Sequence, residues 1–164
     1  MNDDKYSVVG KRIPSVDGWE KVTGSAKYTV DMVLPNMLHG KILRSPHPHA
    51  RIVSIDTRRA GRLPGVKIVL TGKDTMGLKS GIWRSYRELC DEEILCREKV
   101  RYVGDAVATL AATQEDIAEE ALSLIDVEYD VLPAAFDPLE AMKEGAPEIH
   151  DGCERNMNVY RQIE

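Results

Sequence analysis

The stretch LRSPHPHARIVSID, which runs from Leu43 to Asp56, decides how the chain is organised. It places Pro46 and Pro48 between two apolar runs. A proline has no backbone N–H to give to a sheet, and it disfavours helical backbone in the residue before it. The segment is therefore an extended edge or a bend, and ARIVSID at 50–56 resumes as a strand.

Further strands are predicted on both sides of this stretch, because apolar or β-branched residues alternate there. Their ranges are 26–34, 37–45, 66–72 and 126–133. We expect the strand VKIVLTG at 66–72 to be buried, since it is dense in β-branched residues. The longest apolar segment, at 99–113, contains Gly104, which suggests a bulge or a turn. Residues 72–98 lack clear periodicity and predict a long loop.

Three short helices are expected between these strands. The first lies in TRRAGRLPG, the second in TQEDIAEEALSLI with Thr113 as N-cap, and the third in DPLEAMKEG with Asp137 as N-cap and Pro138 in the first turn. The second helix carries one apolar stripe, formed by Ile117, Ala118, Ala121, Leu122 and Ile125. The predicted class is α/β, a mixed β-sheet with two or three helices.

The length of 164 residues suggests one domain with an ordinary core. Hydrophobic residues make up 43% and charged residues 30%, which is typical of a globular chain. We predict an N-terminal arm at 1–12, one domain at 13–149 and a tail at 150–164.

The net charge of −5 argues against non-specific binding to nucleic acid or to anionic lipid. The charge is uneven, +4 over residues 1–60 and −9 over residues 61–164, and the acidic half is either solvated or faces a basic partner. The sequence contains no apolar run of 18 residues, so no membrane span is predicted. The stretch MNDDKYSVVG does not have the pattern of a signal peptide. Three cysteines, an odd number without a CxxC pair, favour a reducing compartment. We therefore predict a cytoplasmic location.

The histidines and cysteines are the candidate metal ligands. His47 and His49 would share one face of a strand, and His39 is the nearest candidate for a third ligand. The alternative is that both are polar ends of an extended segment, bonded to neighbouring backbone, and we favour it. Cys90 and Cys96 are separated by five residues, which matches no common zinc knuckle, so we expect structural or loop thiols.

Acidic and aromatic side chains are further candidates for a site. The carboxylates of the second helix fall on the side away from its apolar stripe and predict a solvated face; they are Glu115, Asp116, Glu119 and Glu120. Trp19 and Trp83 are candidate interface anchors, although partial burial at a domain edge is favoured. GxSxG, the P-loop pattern and GxGxxG are absent from the sequence. From the residues alone we assign no catalytic, cofactor-binding or metal-binding residue.

Three motifs in one order resemble a known family: VTG-x-A-x-Y-x-x-D, S-P-H-x-H-A-x-I and V-x-Y-V-G-D-x-V-A. Together they resemble the N-terminal α/β-hammerhead domain of the molybdenum-bearing large subunit of the xanthine dehydrogenase and aldehyde oxidase family. The resemblance runs from about Val9 to Ile149. The loop from Gly81 to Asp105 looks closest to the 4-hydroxybenzoyl-CoA reductase branch.

This resemblance implies a scaffold domain within a molybdopterin-dependent oxidoreductase that also uses iron–sulfur clusters and FAD in partner domains or subunits. In the family, the residues that bind the pterin and the catalytic glutamate lie in later domains, so none is carried over to this chain. A segment such as NMNVYRQIE leads there into the molybdenum-binding region. The expected partners are those molybdenum-binding domains and the iron–sulfur and flavin subunits, and the chain alone is expected to be inert. The alternative is a free-standing interaction or assembly module with the same fold.

Overall fold

The computed structural model describes residues 6–80 and 92–157. The chain divides into two compact units, Met1–Met37 and Leu38–Glu164. In the parts of the chain that the structure describes, no helix has the length and hydropathy needed to cross a membrane.

The first unit consists of turns and two short helical segments. Helix α1 covers Gly18–Thr23, and a single turn of 3-10 helix covers Thr29–Asp31. All of its described residues, 6–37, are exposed or half-buried. The predicted strand at 26–34 is wrong, because the carboxylate of Asp31 accepts a hydrogen bond from the backbone N–H of Tyr28 at 3.0 Å and closes a local turn.

The second unit carries all of the described strands. They are β1 (His39–Arg44), β2 (Ala50–Asp56), β3 (Val66–Thr71), β4 (Lys79–Ser80), β5 (Glu92–Glu93), β6 (Lys99–Val100), β7 (Ala106–Ala112) and β8 (Asp126–Val131). Its helices are α2 (Arg58–Arg62), α3 (Glu115–Ser123) and α4 (Pro138–Ala141), followed by a 3-10 turn at Glu154–Asn156. The strands form three antiparallel sheets rather than a single mixed one.

Sheet 1 has the strand order β1-β7-β3, and helices pack on one of its faces. Small side chains of β7 meet small side chains of α2 and α3, which lets the helices approach closely. The buried residues of this layer are Ala60, Ala108, Leu110, Ala112, Ala118, Ala121 and Ile125. The opposite face places Ile42, Thr109 and Leu70 side by side across the three strands.

Sheet 2 has the order β6-β2-β8, and its core is smaller. Its buried members are Ala50, Cys96 and Val100, which pack with Val107 from β7 of sheet 1, and half-buried Ile52 and Tyr129 pack against them. Sheet 3 is the two-stranded pair β4-β5.

Most of the predicted elements in this unit are confirmed. β1, β2, β3, β7 and β8 lie where the sequence places them, and Gly104 forms a turn between β6 and β7. Asp137 caps α4 by accepting hydrogen bonds from the N–H groups of Leu139 and Glu140. The apolar stripe of α3 packs into the core of sheet 1 as predicted.

Four features of local structure differ from the predictions. Thr113 does not cap α3: its N–H bonds to the carbonyl of Gly65, and Gln114 occupies the N-cap position, so the helix begins at Glu115. Strand β3 is not buried, since it lies at the edge of sheet 1 and Ile68 is 48% exposed. Helix α1 has no counterpart among the predicted helices, and the expected loop at 72–98 contains the pair β4-β5 on either side of residues that lie outside the described ranges.

Candidate functional site

The two candidate metal-ligand histidines are held by strand β8 and the residues that follow it. His49 is 3% exposed, and its Nδ1 lies 2.6 Å from the carbonyl oxygen of Pro133. Because a carbonyl can only accept, Nδ1 carries the proton in this contact. The His47 ring packs edge-on against Tyr129 at a centroid distance of 4.9 Å. Both histidines therefore serve the fold through neighbouring groups, as the favoured alternative predicted.

His39 does not join the other two histidines. It begins β1 and is paired in register with Ala112 at the end of β7, whereas His47 follows the opposite end of β1. Within 6–80 and 92–157, no group of three or more His, Cys, Asp or Glu residues is placed to hold a metal ion. That the chain binds no metal stays a prediction.

A polar joint connects the end of β1 to the turn before β7; we define it by Arg44, Ser45, Gly104 and Asp105. The Ser45 N–H donates to the carbonyl of Asp105, and the Gly104 N–H donates to the carbonyl of Ser45, both at 2.8 Å. The Arg44 guanidinium donates to the carbonyl of Gly104, also at 2.8 Å. Gly104 has φ of +97°, where a side chain is strained. The joint thus fastens SPHPH to YVGD by backbone bonds.

The carboxylate of Asp105 is the buried charge of this region, at 4% exposure. It accepts a hydrogen bond of 2.9 Å from the N–H of Arg101, which closes the turn. Burial, reinforced by the charge of Asp105, raises the pKa of the Cys96 thiol well above its usual range. The same two causes raise the pKa of Tyr102 to about 12. Both groups are therefore protonated at neutral pH, so neither can act there as a nucleophile or as a base.

A cavity of about 250 Å³ opens beside the joint. Its lining residues are Glu92, Glu93, Cys96, Arg101, Tyr102, Asp105 and His150. Among the lining residues that the structure describes, three carboxylates outnumber the one guanidinium, and like charges repel a bound anion. The cavity therefore does not fit a phosphate-bearing pterin cofactor, and we derive no catalytic step through such a group on this chain.

The carboxylates of α3 lie on its exposed side, as predicted. Glu115 and Glu119 both pair with Lys41 of β1, with N–O distances of 2.7 and 2.9 Å. The hydrogen bond from Lys41 lowers the pKa of Glu115. A general acid needs the opposite shift, so this pair does not have the properties of an acid–base centre.

The remaining candidates are scattered. Cys96 is buried and Cys153 half-buried, and both thiols are free. Trp19 is 77% exposed, so the expected partial burial is wrong. Trp83 and Cys90 lie outside the described residues.

Sequence reasoning missed three charged residues of this region, which are Asp105, Lys99 and Arg101. A signal for Asp105 was present, because this aspartate stands between a glycine and a buried apolar strand. No local pattern marks Lys99 or Arg101, since each is distinguished only by the burial that the fold imposes.

Comparison with known proteins then decides the family. The sequence model described as "Aldehyde oxidase and xanthine dehydrogenase, a/b hammerhead domain" matches residues 23–133. The chain belongs to this family. The resemblance drawn from its motifs is confirmed, and so is the α/β class.

The relatives of this hammerhead chain are longer proteins, and the chain matches only a part of each. It is 47% identical over 136 residues to a probable xanthine dehydrogenase subunit of Bacillus subtilis, which covers 82% of this chain and 18% of that protein. It is 38% identical to the nicotinate dehydrogenase large molybdopterin subunit of Eubacterium barkeri, covering 97% of this chain and 36% of that protein. The chain thus spans about a third or less of these relatives' lengths.

Solved structures have the same fold. The aldehyde oxidoreductase of Desulfovibrio gigas superposes with a TM-score of 0.76 at 33% identity, covering 85% of this chain and 16% of that one. Quinoline 2-oxidoreductase from Pseudomonas putida 86 gives 0.76 at 39% identity, covering 87% and 18%. The 4-hydroxybenzoyl-CoA reductase branch and the domain bounds 13–149 stay predictions.

Proposed function

We propose that this chain is the scaffold domain of a molybdenum hydroxylase large subunit and that catalysis takes place on polypeptide outside residues 1–164. Relatives named as molybdopterin or molybdenum-binding subunits support this proposal. In the complete enzyme the molybdopterin centre would supply the oxidation–reduction chemistry, and iron–sulfur and FAD-containing domains or subunits would carry the electrons.

One observation carries the scaffold role: the backbone groups of Ser45 and Gly104 and one ring nitrogen of His49 make hydrogen bonds within the domain. Within the polar joint the Gly104 N–H donates to the carbonyl of Ser45, and the Ser45 N–H donates to the carbonyl of Asp105. Nδ1 of the buried His49 donates to the carbonyl of Pro133, while its Nε2 is buried without a hydrogen-bond partner among the described residues. Atoms that already make hydrogen bonds within the domain hold the strands in position and are not available to bind substrate. We therefore propose that the family motifs mark a structural joint and that the chain alone is inert.

The uncovered face of sheet 1 supports a packing role for this unit. Ile42 and Ile68, on the two outer strands of that face, are 44% and 48% exposed. Phe136, which follows β8, is 84% exposed. Exposed apolar side chains on ordered backbone are typical of surfaces that other protein covers. We propose that the molybdenum-binding domains are that protein.

We also propose a cytoplasmic location for the enzyme. The free thiols of Cys96 and Cys153 support it, since thiols persist in reducing compartments. Fractionation of the source cells followed by immunoblotting would test this point.

A domain exchange tests the function. The corresponding segment of the Bacillus subtilis relative, the probable xanthine dehydrogenase subunit, is replaced by residues 1–157 of this chain, and molybdenum content and xanthine-dependent dye reduction are measured. We expect the chimera to retain both, and the isolated 164-residue chain to contain no molybdenum and to reduce no dye. The matched control is a chimera in which the segment is deleted, which should lose the metal.

Two results would contradict the proposal. Molybdenum bound in stoichiometric amount to the isolated chain would mean that the cofactor site lies within it. A chimera as inactive as the deletion, together with a monodisperse isolated chain, would favour the free-standing interaction module instead.

A further inference from the structure

We propose that Asp151 is a latch that fastens the segment 147–157, called the strap below, to sheet 2 by neutralising a buried lysine. The proposal concerns the residues of this chain alone. The latch would also influence how the chain continues into the molybdenum-binding region, since the strap includes the start of the tail predicted to lead there. That influence rests on the proposed function.

The lysine is Lys99 of β6, and its side chain is only 9% exposed. Its Nζ lies 2.7 Å from Oδ1 of Asp151. A buried ammonium without a counter-charge is strongly unfavourable, because the protein interior solvates it poorly. Asp151 therefore supplies a charge that sheet 2 needs.

The surroundings of Asp151 are cationic. Lys99 is paired in register with Arg51 of β2, and the guanidinium of Arg101 reaches to 3.9 Å from Oδ2 of Asp151. Nε of Arg101 is buried, and within the described residues it has no hydrogen-bond partner. The hydrogen bond from Lys99, assisted by the charges of Arg101 and Arg51, lowers the pKa of Asp151. Asp151 thus contacts Lys99 and Arg101 and also lies in the electrostatic field of Arg51.

The base of the strap is closed independently of this ion pair. The Asn156 side chain accepts a hydrogen bond from the N–H of Ile149 at 2.8 Å and donates to the carbonyls of Ala141 and Pro147 at 2.9 Å. Asn156 has φ of +55°, which asparagine tolerates better than most residues. Because Asn156 bonds the base of the strap to the end of α4, loss of the ion pair would release the part of the strap around Asp151. The hydrogen bonds at the base would remain.

The two partners of the ion pair differ in their exposure, and this difference decides which of them can leave the pair. The side chain of Asp151 is 78% exposed, whereas that of Lys99 is 9% exposed. Asp151 can return to water at little cost, but Lys99 cannot be left alone. Release of Asp151 therefore leaves the buried charge of Lys99 without its partner, and another anion that replaces Asp151 would favour the open strap. Protonation does not open it near neutral pH, since the lowered pKa keeps the carboxylate charged until the pH falls below its ordinary value of 3.8.

Amide hydrogen exchange of the purified chain tests the latch. The N–H groups of Gly152 and Cys153 are hydrogen-bonded within the strap and report its opening. Asp151→Asn should accelerate their exchange by roughly tenfold or more, which corresponds to losing a local interaction of modest strength. The N–H of Leu132, which donates to the carbonyl of His49 next to the paired strands β2 and β8, should keep its rate.

Two further variants make the result decisive. Glu154→Gln removes the same charge from an exposed position in the strap and should leave the exchange unchanged. Lys99→Met/Asp151→Asn removes both charges, so it should fold even where Asp151→Asn does not, and its strap should still exchange fast.

Wild-type exchange rates in the strap of the double variant would overturn the latch, and so would acceleration by Glu154→Gln equal to that caused by Asp151→Asn. Neither measurement depends on molybdenum or on turnover, so failure of the latch and failure of the proposed function are distinguishable.

Discussion

The two three-stranded sheets of the second unit are stabilised in different ways. Sheet 1 buries an alanine-rich face under α2 and α3, with Leu110 as its largest fully buried side chain. Sheet 2 has a core of four small residues and depends on polar contacts around it, among them His49 with Pro133 and Lys99 with Asp151. The polar joint ties the start of β7 in sheet 1 to the segment that leads into β2 of sheet 2.

This difference between the two sheets indicates at which positions a substitution should be tolerated and at which positions a particular residue should be required. Apolar packing tolerates exchanges of similar volume, whereas a buried hydrogen bond or charge requires a defined partner. The motifs S-P-H-x-H and Y-V-G-D lie at the polar joint and not in the alanine-rich layer. These motifs are therefore explained by the hydrogen bonds that connect the two sheets, and less by the packing within either sheet.

The largest effect should come from the core of sheet 1. We expect Leu110→Ala to lower the free energy of unfolding by about 3–4 kcal/mol, because it removes buried methyl groups and leaves a cavity under two helices. Urea unfolding followed by circular dichroism measures this loss. Val100→Ala, in β6 and in the smaller core of sheet 2, is the matched control and should cost about half as much. A larger loss for Val100→Ala would mean that sheet 2 is also stabilised chiefly by packing.

The next largest effect should come from the close approach behind β3. A Cβ at Gly72 would lie 2.4 Å from the carbonyl oxygen of Cys96, a backbone atom that cannot move aside. We expect Gly72→Ala to cost about 2–3 kcal/mol in the same urea experiment. Gly61→Ala is the control, since its Cβ would meet nothing within 4 Å and it lies in α2, where alanine should stabilise the helix by about 0.5–1 kcal/mol. Equal effects from the two substitutions would contradict the close approach.

The layer of sheet 1 was largely predictable from the sequence, whereas the details of sheet 2 were not. The stripe from Ile117 to Ile125 and the apolar run of β7 follow simple periodicities, and packing enforces both. The contacts that distinguish sheet 2 join residues far apart in sequence, such as Lys99 with Asp151, and no local pattern signals such a pair. Periodicity also gave no warning that β3 lies at an edge, because edge position depends on the order of strands.

The candidate site was predictable in its motifs but not in its chemistry. The spacing of His47 and His49 was compatible with a shared metal, and only the fold assigns one ring to Tyr129 and the other to Pro133. The strand predicted at 26–34 is wrong for a related reason. Strand composition does not supply a partner strand, and a local bond from Tyr28 to Asp31 was available instead.

A smaller effect should come from the polar joint. Gly104 adopts φ of +97° with open space around it, so an alanine there is strained by its backbone and not by contacts. We expect Gly104→Ala to cost about 1 kcal/mol by urea unfolding. Gly40→Ala in β1 is the control, because its Cβ would make an ordinary contact of 3.8 Å with the carbonyl of Leu110. A loss for Gly40→Ala that exceeds the loss for Gly104→Ala would show that the joint does not depend on this turn.

The smallest effect should come from the ion pairs of sheet 1, and it completes the contrast with Lys99. Lys41 contacts both Glu115 and Glu119, yet these carboxylates are 63% and 64% exposed and remain well solvated without it. We expect Lys41→Met to lower the urea midpoint only slightly at low ionic strength, and we expect salt to remove the difference, because exposed charges are screened. Asp151→Asn, which leaves Lys99 buried and unpaired, should keep its loss of stability in the same salt series. If the loss in Lys41→Met were as large and as resistant to salt, sheet 1 would also depend on buried charge, and the distinction between the two sheets would not hold.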